Sequence, residues 1–220
     1  MIDLHMHTFH SDGELIPAEL VQRAKAAGYQ ALALTDHVDA SNLEEVVSRA
    51  LRAASALTES SGLLVLAGAE LTHVPPAQIP GLIARARQLG AEIVVVHGET
   101  PVEPVPEGTN RAAIAGRADI LAHPGLLTPA EARLAKRNGV ALELTSRGGH
   151  SLANGHVARV ATQAECALVV NSDTHSPRNI HSLDMIRKVV LGAGLASAYV
   201  EKVQSNARVL CAKARKQNNK

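Results

Sequence analysis

Ile2-Asp3-Leu4-His5-Met6-His7-Thr8-Phe9-His10-Ser11-Asp12-Gly13 opens the chain with a short apolar run that ends in two histidines. Read as an extended strand, it turns His5 and His7 to one face and Leu4 and Met6 to the other, because side chains alternate along a strand. Two imidazoles on one face make half of a metal site, although the H-x-H spacing alone also fits a surface strand. The other strand ends decide between these readings.

Val/Ile/Leu/Ala-rich runs recur from about residues 2, 31, 63, 92, 119, 140 and 167. Those intervals match the length of a strand-plus-helix unit and predict seven units built on a parallel sheet with crossover helices. Helical patterns fill the gaps. Pro17 opens a helix that stops at Gly28, and others span about 41–60, 80–89, 128–138, 151–165 and 180–191. A short helix follows Thr109, and a last one starts near Lys202 and runs into a basic tail from about 213 that is expected to fray. With no linker-like stretch, residues 1–220 are expected to form a single domain. One long irregular segment, Gly98 to Gly108, holds Pro101, Pro104 and Pro106 with Glu99, Glu103 and Glu107, and reads as a rim or lid loop or as a spacer.

Composition narrows the function classes. A net charge of +1 offers no field for nucleic acid or an anionic membrane. Phe9, Tyr29 and Tyr199 are the only aromatics, too few for a base-stacking platform. Cys166 and Cys211, expected in helices, are not spaced as a zinc knuckle or redox pair and fit buried thiols in a reducing compartment. Without a signal-like start or a membrane-length apolar run, a soluble cytoplasmic protein is expected.

What the runs end in is more telling: His5 and His7, then Thr35-Asp36-His37, Glu70, His97, His123, and finally Asp173 and His175. In a closed α/β barrel such ends converge on one face around the axis. Carboxylates there, bordered by apolar residues, would be buried unpaired charges unless a cation joined them. His10 lies in the first loop close to this face. His73, His150, His156 and His181 read as loop, helix or surface residues, with His150 nearest to a strand end.

These motifs resemble the polymerase-and-histidinol-phosphatase (PHP) family of metal-dependent phosphoesterases. The resemblance is carried by DLHMHTFHSDG at 3–13, TDH at 35–37, GAEL around Glu70, VVVHGE around His97, LAHPG at 121–125 and NSDTH at 171–175. It implies a distorted (β/α)7 barrel, similar to a TIM barrel, holding two to three divalent metals. It further implies that His5, His7, Glu70 and Asp173 hold one metal, that Glu70 bridges to a second held by His97 and His123, and that Asp12, His37 and His175 hold a third. Some relatives carry a histidine in place of Asp12. Asp36 would orient a neighbour.

Histidine and carboxylate ligands without thiolates suit Zn, Mn or Fe. Such a centre suits hydrolysis of a small phosphate monoester by in-line attack of hydroxide, with Asp12, His10 or a coordinated water supplying the proton to the leaving group. Arg147, after the sixth run, or Arg178 could grip the phosphate. The three glutamates of the 98–108 loop would repel a polyanion and accept an amine, which favours histidinol phosphate. Nucleotide or cyclic-phosphate hydrolysis, an amidohydrolase, and a non-catalytic metal-bound module are the alternatives. The sequence leaves oligomeric state open.

Overall fold

A computed structural model of the chain describes residues 1–218. Seven strands follow one another in a parallel sheet: β1 (Ile2–Met6), β2 (Ala31–Leu34), β4 (Leu64–Leu71), β5 (Ile93–His97), β6 (Ile120–Ala122), β7 (Ala141–Thr145) and β8 (Leu168–Asn171). The two-residue β3 (His37–Val38) follows β2 and pairs with the far end of β4. Around them lie α1 (Pro17–Ala26), α2 (Leu43–Ser61), α3 (Ile79–Gln88), α4 (Thr109–Ala115), α5 (Pro129–Asn138), α6 (Asn154–Gln163), α7 (Leu183–Gly192) and α8 (Tyr199–Asn218). The architecture is a TIM-like α/β barrel, and each of the seven main strands begins within a residue of its apolar run.

Local chemistry sets the boundaries. In α5 the Thr128 hydroxyl and the Glu131 carboxylate cap each other's backbone N–H, Pro129 opens the helix, and Gly139 leaves it with a left-handed φ of 69°. α2 buries Leu43, Val46, Val47, Ala50 and Ala54, the spacing of one helix face. One apolar layer lies between strands and helices. A second fills the barrel with Ile2, Leu4, Ala33, Leu66, Val95, Ile120 and Val169, and Ala207, Leu210, Cys211 and Ala214 of α8 close it from below. An interior of small aliphatic side chains is how a chain with three aromatics fills a barrel.

β8 and β1 close the ring without a regular ladder. Between them Leu4 N–H donates to Asn171 Oδ1 at 2.9 Å and Ser172 N–H to Asp3 Oδ2 at 3.0 Å. His7 N–H reaches Thr174 O at 2.8 Å, and Asp173 N–H reaches His5 O at 3.1 Å. From α8, Gln204 accepts the Ile2 N–H at 2.9 Å and donates back to Ile2 O.

Several expectations are corrected. β1 does not alternate simply: its register runs Ile2↔Ala31, Asp3↔Leu32 and then Met6↔Leu34, so a bulge adds a residue. Leu4 consequently packs inside the barrel while Met6 packs in the outer layer with Leu20 and Leu34. Cys166 lies in the turn before β8, not in a helix. α7 starts at Leu183 because the Ser182 hydroxyl caps Met185 N–H. The tail is helical through Asn218, tied by Lys213 to the buried Asp119 at 2.8 Å; positions 219–220 of the expected frayed tail lie outside the described residues. No described helix is long and apolar enough to cross a membrane.

Candidate metal centre

The C-terminal strand ends bring the ligand-type residues together around Glu70, which has no solvent exposure. Glu70 Oε1 lies 3.2 Å from His5 Nε2 and 3.9 Å from His123 Nε2, and Oε2 lies 3.5 Å from His7 Nε2 and 2.8 Å from His37 Nδ1. Asp173 Oδ1 closes on His7 Nε2 at 3.3 Å and His5 Nε2 at 3.8 Å. On the outer side, Asp12 Oδ1 stands 3.1 Å from His175 Nε2 and 3.4 Å from His37 Nε2. Asp173 and His123 hold left-handed backbones, with φ of 54° and 28°, conformations that cost a non-glycine residue about 1–3 kcal/mol and persist where the surroundings fix them.

The hydrogen bonds fix which ring nitrogen faces inward. A carbonyl or carboxylate can only accept, so Nδ1 carries the proton in His5, which faces Glu143 Oε2 at 2.9 Å, and in His175, which faces Asp173 O at 2.9 Å. The same holds for His37 against Glu70 and for His97 against Gly98 O at 3.2 Å. Their Nε2 atoms all point into the centre. His175 Nε2 and His37 Nε2, 3.4 Å apart, share Asp12 Oδ1, three acceptors that only a proton or a cation can reconcile. Deeper in, His5 Nε2, both nitrogens of His7, Glu70 Oε1 and His123 Nδ1 are buried with no hydrogen bond, a cost of about 1–3 kcal/mol per atom that metal coordination removes. Imidazole and carboxylate donors in this geometry fit divalent cations of the Zn, Mn or Fe type.

Without a cation the charges strain against burial. Burial disfavours ionised Glu70 and Asp173, yet His5 and the other imidazoles hold both carboxyls well below their ordinary range. Burial likewise opposes protonated His5, but Glu70, Glu143 and Asp173 raise it well above its usual value. His7 is pushed down to about 4 by burial. Asp12, although partly desolvated, is held at about 2 by His175 and His37, which suits a ligand better than a proton donor.

The remaining expected residues separate. Asp36 orients the first loop: its carboxylate accepts Thr8 N–H at 2.7 Å, Thr8 Oγ1–H at 2.8 Å and Ser11 Oγ–H at 2.8 Å, bracing the turn that presents Asp12. Arg147 lines the cavity above the centre, about 270 Å³, with its Nε 3.8 Å from Asp173 Oδ2. Arg178 lines a different cavity with Glu14, Ser176 and Pro177. His10 does not line the central cavity and packs against Phe9.

Four residues join the site unannounced by the sequence reading. Glu143 supports His5. His150 is buried, stacked on His123 with ring centroids 4.2 Å apart. His73 and Glu103 meet at the rim, 3.2 Å apart. His97 falls with His123 and His150 into one potential ligand group, which holds the His97–His123 pair that the resemblance assigns to a metal bridged by Glu70. His150 had a signal in its nearness to a strand end, and Glu103 in its place on the candidate rim loop.

Imidazoles and carboxylates collected at the C-terminal strand ends of a barrel are the donor set of a divalent-metal site. The model of the PHP domain matches residues 3–101, and the chain belongs to the PHP family. An uncharacterized protein of Methanocaldococcus jannaschii is 47% identical over 201 residues, 90% of this chain and 92% of its own. Among solved structures, a chain of archaeal ribonuclease P with mature tRNA matches with a TM-score of 0.74 at 19% identity, over 97% of this chain and 91% of that one. Histidinol phosphate phosphatase of Lactococcus lactis, complexed with zinc, L-histidinol and phosphate, matches with a TM-score of 0.60 at 15% identity, over 89% and 94%. At such identities these two likenesses speak for the fold.

Proposed function

We propose that this protein is a divalent-metal-dependent phosphomonoesterase acting on a small phosphorylated substrate. The carrying observation is the convergence of His5, His7, Glu70 and Asp173 with buried nitrogens that have no hydrogen bond. In this reading those four hold one cation, Asp12, His37 and His175 a second, and His97 with His123 belong to a third. Cations there acidify water and neutralise phosphate oxygens.

The chain's own residues supply orientation. Glu143 keeps the His5 Nδ1 proton, so Nε2 faces the centre. Asp36 braces the loop that carries Asp12. Arg147 is the guanidinium placed to donate to a phosphate at the mouth. The case for an amine-bearing substrate weakens, because Glu99 accepts Asn110 N–H at 2.8 Å and Glu103 is held by histidines. Histidinol phosphate and nucleotide-type monoesters are therefore both arms of the test. Two buried free cysteines fit a reducing, cytoplasmic setting.

Purified protein loaded with Mn or Zn is assayed for phosphate release across histidinol phosphate, mononucleotides and nucleoside bisphosphates. We expect turnover of at least one monoester, and in His7→Ala a loss greater than the 10–100-fold typical of removing a ligand's supporting partner. The likeness to a ribonuclease P chain favours a second reading, a non-catalytic subunit of a protein–RNA assembly. Full metal uptake, no phosphate release from any monoester and tight binding of tRNA would establish that reading instead.

A further inference from the structure

Glu103 of the 98–108 loop reaches three histidines at the mouth of the metal centre. Glu103 Oε2 stands 3.1 Å from His97 Nε2 and 3.2 Å from His73 Nε2, while Oε1 stands 3.3 Å from His150 Nε2. His97 has its Nδ1 proton on the Gly98 carbonyl, so Nε2 is the nitrogen it turns to the Glu103 carboxylate. His150 has its Nδ1 at 2.7 Å from the buried Thr100 hydroxyl, a partner that leaves Nε2 turned to Glu103. His123, stacked on His150 and edge-on to His97 at 4.5 Å, adds a buried Nδ1 with no hydrogen bond. His73 reaches the cluster from a left-handed backbone, φ 53°, as the ligand-type residues His123 and Asp173 do.

We propose that Glu103 and His150 are cation ligands that complete, with His97 and His123, a metal position at the mouth of the barrel, so that binding of that metal and closure of the 98–108 loop are one event. The proposal rests on the metal-centre reading above and adds to it two ligands from outside the strand ends. Several nitrogen lone pairs and two carboxylate oxygens face one another in a space of ligand-to-ligand distances, and a single dication satisfies them together. His97, His123 and His150 already form one potential ligand group and His73, His97 and Glu103 another, and His97 belongs to both. The loop is built to deliver the carboxylate. Its first turn is fixed by Glu99 and Asn110, which exchange hydrogen bonds at 2.8 and 3.0 Å, and by Gly125, where a Cβ would sit 1.8 Å from Glu99 O. Val102 packs against Gly149, beside His150, so the loop tip and the imidazole it meets move as neighbours.

The test uses the full chain stripped with a chelator and titrated with Zn²⁺. Metal content is read by equilibrium dialysis and elemental analysis, and hydrogen–deuterium exchange is followed in the peptides covering 98–108 and 2–7. In the wild type both peptides are expected to gain protection as Zn²⁺ is added. In Glu103→Gln, Glu103→Ala and His150→Ala one equivalent is expected to weaken at least about tenfold. Protection of 98–108 should vanish in these variants while that of 2–7 persists, which also shows that they remain folded. Zinc uptake that leaves 98–108 unprotected in the wild type, or protection and stoichiometry unchanged in the three variants, overturns the proposal and leaves the barrel metals standing. Absence of zinc uptake together with no protection of 2–7 overturns the metal-centre reading itself.

Discussion

Glu143 has no solvent exposure, and its Oε2 meets His5 Nδ1 and the amide of Asn171, whose own carbonyl oxygen takes the Leu4 N–H. This chain of contacts fixes the His5 tautomer from behind. Glu143→Ala is expected to weaken binding of the cation at His5 by about 10–100-fold, read by competition with a chromophoric chelator. Glu143→Gln, which keeps an accepting oxygen, should lose less. Glu143 stood outside the ligand set expected from the sequence, because its partner lies 138 residues away and only barrel closure joins them. Asp12, His37 and His175 were legible because each stands in its own short motif; the Glu103–His150 contact was not, since neither residue sits in one. A second residue gives a pH dependence. Burial holds His181 at about 4, with its backbone N–H on the Tyr29 hydroxyl and its ring on Ser146 Oγ. The unfolded chain titrates near 6.5, so it binds the proton first. The stability contributed by neutral His181 is therefore whole above pH 6.5 and is lost as the pH falls toward 4, up to about 3 kcal/mol. Urea unfolding of metal-free protein should show this fall between pH 7 and 4.5, reduced in His181→Gln.

Among the elements, β1 and β8 depart furthest from a regular sheet. Strand positions were legible to within a residue because apolar runs mark them, but the bulge in β1 was not, since alternation of side chains presumes an unbroken register. The bulge matters because it lets Leu4 join the barrel interior while His5 and His7 both reach the centre. The seam itself is held by side chains, and Gln204 from α8 is its lowest stitch. Gln204→Ala leaves the Ile2 N–H buried without an acceptor, and we expect a loss of about 1–3 kcal/mol in denaturant unfolding. Amide exchange at Ile2 and Leu4 should quicken while that in β5 is unchanged. The start of α7 was misplaced for a related reason: the apolar period runs through Ile180, but the Ser182 cap decides where the backbone turns.

At the scale of the whole molecule, the seven-unit barrel was legible from spacing alone, since a strand-helix period survives any choice of side chains within it. What lay beneath the barrel was less so: a last helix was expected from about Lys202, but not that it spans the floor, with Leu210 and Cys211 buried against the strand interior and Lys213 on Asp119. That floor packs against the end of the barrel opposite the metal centre. In the phosphatase reading proposed above, substrate, water and both products would use the mouth ringed by Asp12, His73, Glu103 and Arg147. A phosphate held at the depth of the centre would then stand behind its own leaving alcohol, and departure would be ordered, alcohol first and phosphate last. Steady-state product inhibition should therefore show inorganic phosphate competing with substrate and the alcohol inhibiting noncompetitively; the reverse pattern would mean that a second exit opens through the floor.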